Sequence, residues 1–165
     1  MISEHLAEKA SKIKLVVTDI DGVWTDAKIY YTGTGEFLKA FSYYDGMGTA
    51  LLTEAGIKTA IITSEKSPQV ARRAKKLKIK DVFLGAKDKL EIMEGLLVKY
   101  DLKTEEVAYI GDDVNDYSAM QVAGLTAAPA NTPAFHILRP DILLNRSGGD
   151  GAFREFADLI IASQQ

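Results

Sequence analysis

The chain of 165 residues has no cysteine and only four prolines, scattered at positions 68, 129, 133 and 140. Without cysteine, a disulfide framework is excluded. Without a Pro/Ser-rich tract or an internal repeat, nothing marks a linker between domains. Because 47% of the residues are hydrophobic, a chain of this length can bury one full core. The sequence therefore predicts a single domain over residues 1–165.

Long apolar runs and an excess of one charge are also missing. No stretch approaches the roughly 18 residues that span a bilayer, and Glu4, Glu8 and Lys9 interrupt the N-terminal apolar residues, unlike a signal peptide. The 20 basic and 23 acidic side chains are mixed along the chain, and the net charge is -3. A surface for nucleic acid or anionic membrane is thus not indicated. We expect a soluble cytoplasmic protein that recognises its ligands locally.

Short apolar runs alternate with amphipathic stretches along the chain. The runs have the length and β-branching of buried strands, and they cover residues 15–17, 59–62, 82–84, 107–110, 125–127 and 142–144. Helices are predicted at 48–55, 68–77, 89–100 and 117–122. The alternation predicts an α/β fold of Rossmann type, a parallel sheet with helices on both faces. Ligands of such sheets collect beyond the carboxyl ends of the strands.

One segment interrupts this alternation. Residues 28–31 and 37–41 flank the glycine-containing connection Thr32-Gly33-Thr34-Gly35-Glu36, which is typical of a β-hairpin. We expect this hairpin, residues 28–41, to project from the sheet.

Two carboxylates follow the first predicted strand directly. Alternate residues of an extended segment share a face, so Asp19 and Asp21 can approach one reacting group. Gly22 then permits a sharp turn. Asp-x-Asp-Gly on its own is as often a simple polar turn, so the interpretation depends on partners elsewhere in the chain.

A hydroxyl and a lysine are the first of these partners. Thr63 and Ser64 follow the strand 59–62, where a hydroxyl and a backbone N–H could hold a phosphate oxygen, although Thr63 could also be an ordinary helix cap. Lys89 opens a predicted helix, which is an unfavourable position for a cation unless an anion lies nearby. Lys87 is its rival.

An acidic cluster is the second partner. Asp112, Asp113 and Asp116 crowd the end of strand 107–110, where their mutual repulsion favours a hard divalent cation with oxygen ligands. Mg²⁺ is the natural candidate. Asp113 and Asp116 could instead complement a helix dipole, which leaves Asp112 unexplained.

In chain order, Asp19-x-Asp21, Thr63, Lys89 and Gly111-Asp112-Asp113-x-x-Asp116 resemble the four motifs of the haloacid dehalogenase-like phosphatases. The resemblance implies that Asp19 attacks phosphorus to form an aspartyl-phosphate. Asp21 would protonate the leaving alcohol and then activate water. Thr63 and Lys89 would hold the phosphoryl oxygens. Mg²⁺ would be bound by Asp19, the Asp21 carbonyl and Asp112, with Asp113 or Asp116 in support.

The motifs are too closely spaced for an inserted cap domain, so the resemblance is to the capless members of the family. An open site benefits from a lid supplied by a neighbouring subunit. The hairpin is our candidate for this lid or for an oligomer contact. The resemblance implies a homo-oligomer, in particular a homotetramer with shared active sites.

Within the capless group, residues 14–160 resemble the 3-deoxy-ulosonate phosphate phosphatases, which act on 3-deoxy-D-manno-octulosonate 8-phosphate or on nonulosonate and acylneuraminate 9-phosphates. The resemblance rests on residues 19–26, on the hairpin and on a glycine-rich tail, 146–155, before a C-terminal helix within 146–165. In the family the tail helps to close the site, although such a segment could also be a flexible linker. These phosphatases serve lipopolysaccharide or sialic acid biosynthesis.

Two departures bear on the substrate. Tyr44 and Glu65 stand where octulosonate enzymes usually have arginine, which favours the nine-carbon relatives. The resemblance then makes a set of polar residues candidates for binding the sugar acid: Ser64, Glu65, Lys66, Arg73, Lys76 and Arg154. Arg73 and Lys76 can share a helix face, although a solvated face would look the same.

Three other interpretations remain. A two-component receiver domain also uses strand-end aspartates, Thr and Lys, but not Asp-x-Asp on one strand. A regulatory, oligomerising module associated with sugar-acid cytidylyltransferases would keep the fold without catalysis, against which Asp19 and Asp21 argue. The substrate could also be another sugar phosphate.

Overall fold

The computed structural model describes residues 3–165. A six-stranded parallel sheet lies at its centre and contains β1 Leu15–Thr18, β4 Lys58–Thr63, β5 Asp81–Leu84, β6 Val107–Ile110, β7 Leu125–Ala128 and β8 Ile142–Leu143. The strands are ordered β5-β4-β1-β6-β7-β8. Each strand ends within one residue of its predicted bounds. The remaining two strands, β2 Tyr30–Thr32 and β3 Gly35–Leu38, form a separate antiparallel hairpin.

Seven α-helices occur in the described part of the chain: α1 Glu4–Ser11, α2 Tyr43–Glu54, α3 Pro68–Lys76, α4 Lys89–Tyr100, α5 Tyr117–Met120, α6 Phe135–Leu138 and α7 Ala152–Ala162. The sequence did not predict α1 or α6. The predicted start of α2 at residue 48 was too late, because the Ser42 side chain caps the helix by accepting from the Tyr44 N–H at 3.2 Å. Within residues 3–165, no helix is long and apolar enough to cross a bilayer.

The helices cover both faces of the sheet, as predicted. Strand side chains alternate between the two faces, so Val16 and Ile61 pack on the side of α1, α2, α3 and α7. Val17 and Ile62 pack on the opposite side, against α4, α5 and α6. Each fully buried side chain of this size contributes about 1.5–3 kcal/mol. Between Asp19 and Lys89 the chain adds only the hairpin, α2, α3 and two sheet strands, so there is no cap domain there.

Strand β1 lies in the middle of the sheet, with β4 on one side and β6 on the other. Thr18 pairs in register with Ile61 of β4 on one side and with Ile110 of β6 on the other. The connections leaving β1 and β6 diverge, which opens a crevice at their carboxyl ends where ligands of such sheets bind. The candidate residues lie at the ends of these three strands: Thr63 is the last residue of β4, and Asp19 and Asp112 follow β1 and β6.

The predicted hairpin is present, with a shorter paired region than 28–41. Its strands expose most of their side chains, and it contacts the start of α3 through two hydrogen bonds. Ser67 Oγ donates to Glu36 Oε1 at 2.5 Å, and Gln69 Nε2 donates to the Phe37 carbonyl at 3.0 Å. The hairpin therefore stands beside the crevice.

The glycine-rich tail is packed and is not a flexible linker. The Gly149 N–H donates to the Val23 carbonyl at 3.0 Å, and a Cβ on Gly148 would lie 1.9 Å from the carbonyl oxygen of Gly22. Only glycine allows this approach. Helix α7 then buries Phe153 and Phe156 in the core. The tail thus supports the backbone of the loop that follows β1.

Candidate active site

Asp19 lies at the bottom of the crevice, where the extended chain of β1 ends. Its N–H donates to the Ile110 carbonyl at 3.0 Å, and its side chain is almost fully buried. Lys89, the first residue of α4, places its Nζ 3.0 Å from Asp19 Oδ1. Lys87 is exposed. The cation that opens this helix therefore has the anionic neighbour that the sequence suggested.

Asp116 holds the other side of the site together. Its Oδ1 accepts from Lys89 Nζ and from the Tyr109 hydroxyl, both at 2.7 Å. Its Oδ2 accepts from the backbone N–H groups of Asp112 at 2.9 Å and of Asp113 at 3.3 Å. Asp113 itself is exposed and caps the turn that follows. Asp116 thus fixes Lys89 and the loop that carries Asp112.

The Asp112 carboxylate fills the space beside Gly22. A Cβ on Gly22 would lie 1.7 Å from Asp112 Oδ2, and Gly22 has a φ of +87°. One carboxylate oxygen from each of Asp19, Asp112 and Asp116 lies within 4.8 Å of the others. Such a set of oxygens suits a hard divalent cation. Because both oxygens of Asp116 already accept hydrogen bonds, Asp19 and Asp112 are the better placed direct ligands.

The acidic cluster has more negative charge than its surroundings stabilise. Burial raises the pKa of Asp19 well above its usual range, the charge of Asp116 raises it further, and Lys89 only partly opposes this. Burial and the charges of Asp116 and Asp113 raise the pKa of Asp112 to about 7. Burial alone would lower the pKa of Lys89, but the charges of Asp19 and Asp116 raise it. A bound divalent cation would stabilise these carboxylates in their ionised form.

A cavity of about 210 Å³ opens above these carboxylates. Thr63, at the end of β4, lies in its wall and is buried. Ser64 lies beside it, and its Oγ accepts from Asn115 Nδ2 at 3.0 Å. The lining residues are Asp19, Asp21, Ala27, Ile29, Thr63, Ser64, Glu65, Asp112, Asp113 and Asn115. Several carboxylate residues and the hydroxyl residues Thr63 and Ser64 thus line one small polar space.

A lysine that sequence reasoning missed reaches this site from the hairpin. The side chain of Lys39 is completely buried, and its Nζ lies 2.5 Å from Asp21 Oδ1 and 3.6 Å from Glu36 Oε2. Its only signal in the sequence is a single cation within the apolar segment 37–41. That signal does not identify a partner 18 positions earlier.

Four of the candidate sugar-binding residues do not line this cavity. Arg73 packs under α2, where its Nη2 donates to the Ser42 carbonyl at 3.1 Å, so Arg73 and the exposed Lys76 do not form a joint carboxylate site beside Asp19. Lys66 lies over Gly85. Arg154 Nε pairs with Asp158 at 2.7 Å and borders a different cavity. Ser64 and Glu65 are the two candidates at the cavity wall.

A buried aspartate at a strand end, paired with a lysine and close to further carboxylates that suit a divalent cation, is the arrangement expected of α/β proteins that transfer phosphoryl groups. The sequence model of the haloacid dehalogenase-like hydrolases matches residues 36–124. The 3-deoxy-D-manno-octulosonate 8-phosphate phosphatase KdsC of Haemophilus influenzae is 38% identical over 159 residues, which are 96% of this chain and 88% of that enzyme. The Escherichia coli KdsC is 38% identical over 99% of this chain and 87% of its own.

Solved structures give the same result. The Moraxella catarrhalis 3-deoxy-D-manno-octulosonate 8-phosphate phosphatase, in complex with magnesium ion, phosphate ion and KDO, superimposes with a TM-score of 0.93 at 37% identity over 99% of this chain and 94% of that one. A cobalt-bound phosphatase from Haemophilus influenzae has a TM-score of 0.91 at 38% identity over 94% and 91% of the two chains. This chain belongs to the haloacid dehalogenase-like hydrolases, and within them to the phosphatases, which hydrolyse phosphoric monoesters.

Proposed function

We propose that this chain is a Mg²⁺-dependent phosphatase that removes the terminal phosphate of a 3-deoxy-2-ulosonic acid phosphate through an aspartyl-phosphate on Asp19. The observation that carries the proposal is the convergence of Asp19, Lys89 and Asp112 below a cavity bordered by Thr63. Asp19, Asp112 and the Asp21 carbonyl would hold Mg²⁺, with Asp116 in support from behind. The ion supplies charge neutralisation between nucleophile and phosphate.

The residues of the site divide the reaction into two displacements. An Asp19 carboxylate oxygen attacks phosphorus, the bond from phosphorus to the sugar oxygen breaks, and Asp21 gives its proton to that leaving oxygen. Lys89 and Thr63 hold the phosphoryl oxygens in place. Water then attacks phosphorus and gives a proton to Asp21. The bond from phosphorus to Asp19 breaks, which regenerates the free carboxylate and releases phosphate.

The substrate is proposed from the named relatives. KdsC phosphatases of about 38% identity act, by name, on the octulosonate 8-phosphate, so the eight-carbon sugar acid is the first candidate. Tyr44 and Glu65, in place of the arginines expected for that substrate, keep a nonulosonate or acylneuraminate 9-phosphate as the second. Ser64 and Glu65 are the residues best placed to contact the sugar, because they line the cavity.

The proposal includes a single domain over residues 1–165 and a homotetramer that works in the cytoplasm. The hairpin supports an oligomer, because Tyr30, Tyr31 and Phe37 are 53%, 67% and 62% exposed. Aromatic side chains are enriched at protein interfaces. A hairpin that projects beside the crevice is in position to contact a neighbouring subunit.

The test is phosphate release from the 8-phosphate, the 9-phosphates and common hexose phosphates, with Mg²⁺ or with EDTA. We expect metal-dependent turnover of one ulosonate phosphate above the others. Equal rates on all esters would contradict the substrate, and no turnover of any ester would favour a non-catalytic, regulatory module.

The nucleophile is tested separately with Asp19→Asn. This substitution removes the attacking oxygen but little volume, so it should abolish turnover and leave the circular dichroism spectrum unchanged. Acid quenching during turnover of a ³²P-labelled ester should trap a phosphoprotein in the wild type only. Turnover or labelling that survives in the variant would rule out Asp19 as the nucleophile.

A further inference from the structure

Lys39 is buried where a hairpin lysine would ordinarily be solvated. Its ammonium group lies between the carboxylates of Asp21 and Glu36, at 2.5 Å and 3.6 Å, and its side chain has no exposed surface. Burying an ammonium group is costly unless its charge is paired and its donors are used. The burial of Lys39 is therefore explained by its ion pairs, of which the shorter is the contact with Asp21.

The contact leaves the two oxygens of Asp21 in different situations. Oδ1 accepts from Lys39. Oδ2 is buried and accepts no hydrogen bond from any described residue, although Asp21 lines the cavity above Asp19. A carboxylate held through one oxygen by a buried lysine cannot rotate freely, so the orientation of Asp21 at the cavity wall is fixed. Proton transfer depends on this kind of fixed geometry.

Lys39 is itself held by Glu36, which also bonds to Ser67 on the loop after β4. Glu36 pairs with Lys39 through Oε2 and accepts from Ser67 Oγ through Oε1 at 2.5 Å. Ser67 is buried and precedes α3, on the loop that begins after Thr63. The series Asp21, Lys39, Glu36 and Ser67 therefore connects the loop after β1 with the loop after β4 through the hairpin.

From this geometry we propose that Lys39 is a positioning residue, which holds the Asp21 carboxylate in the orientation needed for proton transfer to the leaving oxygen of the ester. The inference rests on the proposed phosphatase function. Lys39 does not line the cavity, so in this role it acts only through Asp21. Its effect should therefore appear where a proton must be delivered and should be small where none is needed.

A comparison of two esters with different leaving groups distinguishes this positioning role from that of a merely structural ion pair. The quantity to compare is kcat/KM, which reports events up to the first irreversible step, the transfer of the phosphoryl group to Asp19. An alkyl phosphate such as ribose 5-phosphate needs a proton on its leaving oxygen, whereas p-nitrophenyl phosphate releases a stable phenolate. The later activation of water by Asp21 does not enter this ratio.

The variants are Lys39→Met, Lys39→Gln and Lys39→Arg, each measured on both esters. Because general acid catalysis is worth about 10²–10⁴-fold, we expect Met and Gln to lower kcat/KM on the alkyl ester by about 10²-fold or more. We expect the loss on p-nitrophenyl phosphate to stay below about tenfold, and Arg to restore part of the activity on the alkyl ester. Gln is one bond shorter than Lys but keeps a hydrogen-bond donor, so it keeps the test valid if Met does not fold.

Lys99→Met is the matched control. Lys99 also pairs with a buried aspartate, Asp81, but Asp81 begins β5 at the opposite edge of the sheet. This variant should change kcat/KM equally little on both esters. Equal losses on both esters in the Lys39 variants, or no loss, would overturn the role of Lys39 while the phosphatase proposal stands. A wild-type protein inactive on the ulosonate phosphates as well as on these two esters would instead refute the phosphatase proposal itself.

Discussion

Gly22→Ala should impair metal binding and activity at the site much more than it impairs the stability of the fold. The structure makes two demands at this position. The residue adopts a φ of +87°, and a Cβ would lie 1.7 Å from Oδ2 and 2.3 Å from Cγ of Asp112. A left-handed conformation costs a residue with a side chain about 1–2 kcal/mol. The second demand is larger, because the carboxylate and the new carbon cannot occupy the same space.

Asp112 has to give way, and its displacement determines the expected effect. Non-bonded heavy atoms settle about 3.5–4.0 Å apart, so the carboxylate has to move by roughly 2 Å. A misplacement of about 1 Å can cost about 10²-fold in rate. We expect kcat/KM to fall by at least about 10²-fold and the Mg²⁺ dissociation constant, measured by calorimetry, to rise by about 10- to 100-fold.

Gly56→Ala is the control for backbone strain. Gly56 has a φ of +78°, a Cβ added to it would meet no atom within 4 Å, and it follows α2 far from the site. Both variants should therefore lose similar stability to backbone strain in thermal unfolding, while only Gly22→Ala loses metal affinity. Near wild-type metal binding and turnover in Gly22→Ala would refute the assignment of Asp112 to the metal.

Two further predictions concern contacts of α7, the helix that follows the tail. Asp45 of α2 accepts a hydrogen bond from the Arg154 N–H of α7. Burial raises the pKa of Asp45 from 3.8 to about 6, although this hydrogen bond acts to lower it, and the shift is worth about 3 kcal/mol. A raised folded-state pKa favours the protonated acid, so this stability is present below about pH 4 and is lost as the pH rises through about 6. In urea unfolding, the free energy of the wild type minus that of Asp45→Asn should fall by up to about 3 kcal/mol across this range, and a constant difference would contradict the shift. Phe153→Ala should lower the free energy of unfolding by about 3–5 kcal/mol, because the ring is fully buried against Trp24 at a centroid distance of 4.9 Å; a loss below about 1 kcal/mol would show that the tail helix is not part of the core.

The sheet was largely predictable, because its strands are short β-branched runs that end in polar residues. The positions of Asp19, Thr63 and Asp112 followed from the rule that carboxyl ends of parallel strands share one edge. Local hydrogen bonds were harder to foresee. The cap formed by Ser42 starts α2 before its apolar residues do.

Contacts between distant segments accounted for the rest. Lys39 could not be identified from the sequence, because its contact with Asp21 depends on how the hairpin packs beside the crevice, where Glu36 accepts from Ser67. Arg73 looked available for a sugar carboxylate, but its guanidinium packs over Phe41 and bonds to the Ser42 carbonyl. Helical spacing identifies which residues share a face, but the packing of α2 decides where that face points.

The close contact of the tail with the loop after β1 also determines when, during synthesis of the chain, this loop can reach its final structure. Gly148 and Gly149 support the backbone at Gly22 and Val23, yet they are synthesised after nearly all the rest of the chain. A nascent or truncated polypeptide that stops before them carries Asp19 and Asp21 on a loop without its support. We therefore expect a chain that ends before Gly148 to have little hydrolytic activity until these contacts can form.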